Sequence, residues 1–164
     1  MNKFVVFAMM VIGVTSIHAQ KVTRGSFCAL ANENIVSVTI DYKNAKIDKV
    51  PFEVFVEGEE EWEKDYKSIL LNFVKAANRS GGGIKYVTKP TGSYQLVFRA
   101  IVVDDDGETT GDLLLLDKNS NVIGVAEKFH AEGGRFGSQT NLMGDAAERL
   151  GKKVGSFIKK AAKK

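Results

Sequence analysis

Four segments of the chain carry the residue pattern of β-strands. Residues 35–42 read IVSVTIDY, an alternation of apolar and polar residues that is typical of a strand with one buried face. Residues 94–103, 112–117 and 122–131 are rich in aliphatic and β-branched residues and are separated by the polar turns DDDG and KNSN. Two tight turns between three such segments predict an antiparallel meander. The run Leu113–Leu116 predicts burial on both faces of its strand.

Two other segments repeat apolar residues every three or four positions, which is the pattern of amphipathic helices. The first helix is predicted over 59–78. The second is predicted over 139–160, with Ser138 or Thr140 as its N-cap. Opposite charges four residues apart on the second helix predict two ion pairs, Asp145–Arg149 and Glu148–Lys152.

The second predicted helix contains Gly144, Gly151 and Gly155. Each glycine costs a helix about 0.5–1 kcal/mol relative to alanine. Three such residues in one helix indicate close packing against the sheet or against another helix.

Two shorter segments have a less regular pattern. Phe27–Leu30 predicts a short strand leading into 35–42, and residues 51–56 (PFEVFV) predict an edge strand with its proline at the start. The main elements then follow the order β-α-β-β-β-α. Because each has one apolar face to bury, we expect an α+β fold, a two-layer sandwich in which a mixed sheet has both helices on one face.

Residues 1–19 have the layout of a cleavable signal peptide. Lys3 gives a basic start, Phe4–Val14 is an unbroken apolar run, and Ala19 is a small residue at the expected cleavage point. The apolar run is about half of the roughly 20 residues that a membrane-spanning helix needs. We therefore expect export to the periplasm or the cell exterior, with residues 20–164 left as a single domain and no transmembrane segment.

Charge and cysteine content narrow the function classes. The 164-residue chain has 23 Lys and Arg against 20 Asp and Glu, a near-neutral balance that argues against a nucleic-acid binder with a broad basic face. The single cysteine, Cys28, allows no intramolecular disulfide and is expected to be a buried hydrophobic residue in a strand. The lysines near the C-terminus either support a weak membrane-surface contact or stabilise the end of the helix. They are Lys152, Lys153, Lys159, Lys160, Lys163 and Lys164.

A glycine-rich loop, residues 133–138, opens directly onto the second predicted helix. Free backbone N–H groups at a helix N-terminus can bind an anion, and the residues predicted to do so are Gly133, Gly134, Arg135, Gly137, Ser138 and Thr140. The alternative is that the glycines only allow a sharp turn from strand to helix. The spacing matches neither the Walker loop nor the dinucleotide fingerprint.

No catalytic or metal-binding set is recognised. Beyond residues 1–19 the chain has one histidine, His130, which lacks the orienting partner and nucleophile of a general base and the further ligands of a zinc site. Residues 104–112 (DDDGETTGD) lack the last acidic position of a calcium loop. They predict a solvated turn, with a bound cation as the alternative. We expect no cofactor and no metal.

Three stretches resemble a group of uncharacterised exported domains of Gram-negative bacteria. They are IVSVTIDY, the DKNSN turn followed by VIGVAEKF, and the closing GDAAERLGKKVGSFIKK. In architecture this group is similar to the α/β domain of curli-assembly-type periplasmic lipoproteins. The resemblance implies a cell-envelope domain and supplies no catalytic residues. The present chain departs from it because it lacks a convincing lipidation cysteine.

We therefore expect a non-enzymatic binding or assembly module with a protein partner in the envelope or outside the cell. Strand addition at an open sheet edge is the first mechanism to test, and the expected partner surface is Phe52, Val54, Val56, Lys152, Lys153, Lys159 and Lys160. The alternative is a small-ligand (anion) binder or hydrolase. Its pocket would lie between the loop 133–138 and the acidic turn 104–108.

Overall fold

The computed structural model of the protein describes residues 20–80 and 82–163. The expected signal peptide at 1–19 lies outside the described residues. The described chain forms a mixed sheet with helices packed on it, which confirms the predicted α+β fold. The strands are β1 Lys21–Gly25, β2 Ile35–Asp41, β3 Lys46–Ile47, β4 Val50–Pro51, β5 Lys85–Val87, β6 Tyr94–Val103, β7 Thr109–Asp117 and β8 Val122–Ala131. The α-helices are α1 Phe52–Glu57, α2 Trp62–Arg79 and α3 Gln139–Ala161.

The sheet has the strand order β1-β8-β7-β6-β2-β5. Strands β6, β7 and β8 form the predicted antiparallel meander. Strand β2 runs parallel to both β5 and β6, and β3 continues the line of β2 along β6. Both long helices, α2 and α3, pack on one face of this sheet, so the inner face forms the core and the outer face carries no described helix.

Residues 51–56 were expected to form an edge strand, and this prediction is wrong beyond the two-residue β4. The chain from Phe52 onward is helical, with Pro51 directly before the helix, where a fixed φ and a missing N–H cost little. The rings of Phe52 and Phe55 lie 5.3 and 5.9 Å from the ring of Trp62. Residues three apart share one face of a helix but not of a strand, so this aromatic contact favours the helix.

The segment that begins at Phe27 is also different from the prediction. A 3₁₀-helix spans Cys28–Asn32, and it buries Phe27 and Leu30, which are 1% and 0% exposed. Cys28 is half-buried in this helix, not in a strand. Strand β1 has every residue exposed, and the sequence offered no apolar alternation to predict it.

The burial of residues in β6 and β7 differs from the prediction, partly because β-bulges shift the register of the strands. Between Ala100 and Val102 the register of β6 shifts, so that Val103 is buried while Val102 is 42% exposed. In β7, Leu113 and Leu115 are fully buried, but Leu114 and Leu116 are half-buried. The expectation that Leu113–Leu116 is buried on both faces is therefore only half right.

The glycines of α3 allow this helix to lie close to α2, one of the two kinds of packing partner that the sequence left open. A Cβ atom at Gly151 would collide with the backbone of Phe73. A Cβ at Gly155 would lie 2.7 Å from the carbonyl oxygen of Ala77. At Gly144 the nearest atom would be the flexible end of Asn72, at 3.4 Å, so only the first two glycines are required by packing.

Replacing Gly151 with alanine should therefore lower the free energy of unfolding by about 1–3 kcal/mol, because overpacking outweighs the gain in helix propensity. The matched control is Gly144→Ala, which should be neutral or stabilising by up to about 1 kcal/mol. Urea unfolding followed by circular dichroism measures both. Equal effects at the two positions would contradict the packing explanation.

Two tyrosines are buried on the helix-covered side of the sheet. Burial raises the pKa of Tyr86 to about 12, and burial together with the nearby Tyr66 raises the pKa of Tyr42 still further. In the unfolded chain both phenols ionise near pH 10. The unfolded state therefore loses these protons first, and the stability that the neutral phenols contribute is present below about pH 10 and lost above it.

The Tyr86→Phe variant should lose less stability than the unchanged protein as the pH rises from 10 towards 12. The difference should grow by up to about 1.4 kcal/mol per pH unit, the effect of one proton. Urea unfolding at pH 9, 10 and 11 tests this. Parallel stability curves for the two proteins would show that Tyr86 does not stay neutral in the folded state.

Candidate functional site

The outer face of the sheet carries a contiguous aliphatic surface, which we call the outer patch. Cross-strand register places Val97 opposite Leu114 and Leu114 opposite Val125, with Leu116 opposite Val122 in the next row. None of these residues belongs to the core cluster. Val122 is 37% exposed, and Val125 is buried among its outer-face neighbours at 8%.

Polar residues border the outer patch. Arg99 and Asp112 lie directly opposite each other on β6 and β7, and the Arg99 guanidinium donates a hydrogen bond to Asp112 Oδ2 at 2.8 Å. The side chain of Asp112 is only 12% exposed, whereas that of Arg99 is 45% exposed. At the β1 end of the patch, Arg24 pairs in register with Val125.

The sheet edges are poorly suited to accept another strand. Strand β1 shifts register between Val22 and Arg24, and β5 has only three residues. The part of β2 that extends beyond β5 is approached by Tyr66 of α2, whose hydroxyl donates to the carbonyl oxygen of Ile40 at 2.9 Å. The edges of the sheet are therefore short, irregular or occupied by a side chain, and this disfavours the expected mechanism of strand addition.

A cavity of about 990 Å³ lies where β7 begins and β8 ends, near Lys153 of α3. Its polar lining includes Asp112, Glu127, Lys128, His130 and Lys153. Lys128 has a φ of 67° at a point where the β7–β8 register shifts, and such a bulge re-aims the following side chains. The cavity thus brings His130 and carboxylates together, as the small-ligand alternative requires, but Arg135 is not part of it.

A second cavity, of about 730 Å³, lies along α3 and shares His130 and Lys153 with the first. Four of its lining side chains are basic, Arg149, Lys152, Lys153 and Lys160, and one is acidic, Glu132. We call this cavity the α3 groove. The sequence predicted Lys152, Lys153 and Lys160 as part of a binding surface. It did not predict Arg149, because Arg149 was expected to form an ion pair with Asp145.

Neither expected ion pair on α3 forms. Glu148 pairs with Arg79 of α2 instead, at 2.8 Å. The guanidinium of Arg149 turns to the chain after β8 and donates to the carbonyl oxygens of Glu132 and Gly133. Contacts between neighbouring elements thus replace the contacts within the helix that the i,i+4 spacing predicted.

The loop 133–138 uses its glycines for close packing. A side chain at Gly133 would collide with the backbone of Asp106 and Gly107, so the loop and the acidic turn pack against each other where the small-ligand alternative placed a pocket. Gly134 lies beside the carboxylate of Asp145, and Gly137 has a φ of 124°.

The hydroxyl groups of this loop are engaged with the start of α3. Ser138 Oγ accepts a hydrogen bond from the backbone N–H of Asn141 at 3.4 Å, which confirms Ser138 as the N-cap. Its Oγ also lies 3.0 Å from Thr140 Oγ1. Arg135 is exposed. Anion binding at this loop stays a prediction.

The residues expected to form the partner surface do not lie together on one surface. Phe52 is half-buried against Tyr42 and Trp62, whereas Val54 is 54% exposed and Val56 is half-buried. On α3, Lys159 lies beside Gly82, away from the α3 groove.

Two structural findings concern membranes and metals. Across the described ranges 20–80 and 82–163, no helix is long and apolar enough to cross a membrane. Within the same ranges, His, Cys, Asp and Glu side chains do not gather in groups of three or more that could hold a metal ion.

No family model matches the chain, and no match among curated proteins was found. Among solved structures, a PelC dodecamer from Paraburkholderia phytofirmans is 15% identical, covers 85% of this chain and 98% of its own, and has a TM-score of 0.45. Another PelC dodecamer structure from that organism is 16% identical, covers 86% and 96% of the two chains, and has a TM-score of 0.45.

A DUF330 protein from Xanthomonas campestris is 10% identical, covers 79% of this chain and 84% of its own, and has a TM-score of 0.38. These matched chains come from bacterial proteins. At TM-scores below 0.5 the similarity assigns neither an activity nor a partner to this chain.

Proposed function

We propose that the protein is an exported, non-enzymatic binding module of the cell envelope that docks another protein on its outer patch. Export rests on the signal-peptide pattern of residues 1–19. The single observation that carries the binding role is the aliphatic outer patch, which no described helix covers.

The composition of the outer face supports a protein as the occupant. A sheet face that only meets water usually carries polar residues at alternate positions. Here Val97, Leu114 and Val125 form an aliphatic row that Leu116 and Val122 extend, while Gln95, the Arg99–Asp112 pair and Arg24 lie at the border. An apolar centre within a polar rim is the usual arrangement of a protein–protein interface.

The rim residues also support one docking orientation. Asp112 is nearly buried beside the patch, and Arg99 retains donors that face solvent, because it is 45% exposed. A partner with a flat apolar surface and a carboxylate near Arg99 would bury the patch and pair with the free donors. Docking on this face replaces the strand addition that the sequence suggested.

Site-specific photo-crosslinking in the native envelope tests the proposal. A photoreactive residue at position 116, in the outer patch, should capture one dominant protein, because this position would lie inside the interface. The matched control is position 71 on α2, where Leu71 is 46% exposed on the helix layer. Position 71 should capture nothing in common with position 116.

The Leu114→Gln variant should lose this capture by about tenfold or more, because a polar group in the centre of an apolar interface is costly. Leu71→Gln should leave capture unchanged. Capture that is equal at both crosslinking positions, or that survives Leu114→Gln, would contradict docking on the outer patch.

A second candidate function is binding of a small polar ligand in the 990 Å³ cavity that contains His130. The observation that favours it is the convergence of one histidine, two carboxylates and two lysines on that cavity. Fragment screening by NMR tests it. Shifted resonances confined to Thr110, Asp112 and His130 would support a ligand site there, whereas shifts spread over the surface would not.

A further inference from the structure

The basic side chains of the α3 groove follow one side of a single helix. Arg149, Lys153 and Lys160 occupy positions i, i+4 and i+11, and Lys152 lies beside them. With a rise of 1.5 Å per residue, the row extends roughly 16 Å along the helix axis. The opposite wall is formed by the end of β8 and the chain around Gln20.

Two of these cations are held in place by backbone carbonyl groups. Lys153 Nζ donates to the carbonyl oxygen of His130 at 2.6 Å, and Arg149 Nη1 donates to that of Glu132 at 2.7 Å. A lysine has three N–H donors and an arginine has five, so both keep donors free for a ligand. Because the backbone already orients them, less side-chain entropy is lost when a ligand binds.

The positive charge of the groove exceeds the negative charge of its lining. Among residues 20–80 and 82–163, the ion pairs within 4.0 Å involve none of the four groove cations. Glu148, the expected partner of Lys152, is paired with Arg79. One carboxylate, Glu132, lines the groove, and a concave surface with charges of one sign concentrates counter-ions.

The groove continues beyond Phe157 and Lys160 into a further cavity of about 540 Å³ beside β1, to which Lys21 and Cys28 contribute. A single phosphate would contact only one or two of the cations at a time. A chain of several anionic groups would contact the whole row, and its uncharged parts would lie against the half-buried ring of Phe157. The length and charge of the groove therefore fit an extended ligand.

From these observations we infer that the α3 groove is a binding site for an extended oligoanion, a chain that carries several phosphate groups. The lining residues of the groove are not those of the outer patch, and the groove adjoins the glycine loop 133–138 at Gly133, whose carbonyl oxygen accepts a hydrogen bond from Arg149. A flat anionic membrane fits less well, because Arg149 and Lys153 are drawn towards the carbonyl groups of the groove wall and away from a plane.

Isothermal titration calorimetry of the purified protein with inorganic tripolyphosphate tests the inference, with orthophosphate as the single-group comparison. Tripolyphosphate should bind at least about tenfold more tightly than orthophosphate, since it can make several charge-assisted hydrogen bonds at once. The affinity should fall as NaCl is raised from about 50 to about 500 mM, because salt screens exposed charges.

The Lys153→Gln, Lys160→Gln double variant should weaken tripolyphosphate binding by about tenfold or more. The control double variant, Lys159→Gln and Lys163→Gln, removes the same charge from the same end of α3, but these residues line a different cavity. It should change the affinity by less than about twofold at matched salt. The Lys160 side chain takes part in none of the ion pairs among residues 20–80 and 82–163, so Lys160→Gln alone serves if the first double variant proves unstable.

Three results would overturn the inference. The first is an absence of tripolyphosphate binding by the unchanged protein at low salt. The second is an equal loss of affinity in both double variants, which would mean that only the overall charge matters. The third is binding to vesicles that contain phosphatidylglycerol without binding to tripolyphosphate, which would assign the lysines to a membrane surface.

Discussion

The contact between α2 and α3 determines which surfaces of the protein are covered. Gly151 and Gly155 let α3 lie against the carbonyl groups of Phe73 and Ala77, and Ser80 Oγ adds a hydrogen bond to the carbonyl oxygen of Lys152 at 3.0 Å. Because the helices pack so closely, both fit on the inner face of one sheet. The outer face then has no helix from the described chain to cover it, and its aliphatic rows become the candidate partner surface.

The same contact sets the position of the basic row on α3. Glu148 pairs with Arg79 of α2, while Lys153 and Arg149 donate to the carbonyl groups of His130, near the end of β8, and of Glu132, just after it. One face of α3 therefore stabilises the core while a neighbouring face lines a groove rich in positive charge. The outer patch and the α3 groove use different parts of β8, because the patch contains Val122 and Val125 whereas the groove is lined by His130 and Ala131.

Several particular features of the fold followed from local patterns. The strands at 94–103 and 122–131 match β6 and β8, and Ser138 is the N-cap of α3. These features depend on the alternation of apolar and polar residues, on turn residues and on helix capping. Each of these signals lies within about ten residues of the chain, so it can be read directly from the sequence. The aromatic segment after Pro51 was misread because its helix depends on the contact with Trp62.

The candidate site was less predictable, because its residues meet only through register and packing. The bulge in β6 exposes Val102 to solvent and buries Val103. A shift of one residue in register moves every following side chain of the strand to the other face of the sheet. Arg149 was expected to pair with Asp145 on its own helix, yet its guanidinium donates to the carbonyl oxygen of Glu132, just after β8. The sequence by itself determined the long strands and the two long helices, the α+β class and the glycines that demand close packing. Only the tertiary structure decided which aliphatic residues share the outer face and which lysines share a groove, because both depend on contacts between segments far apart in the chain.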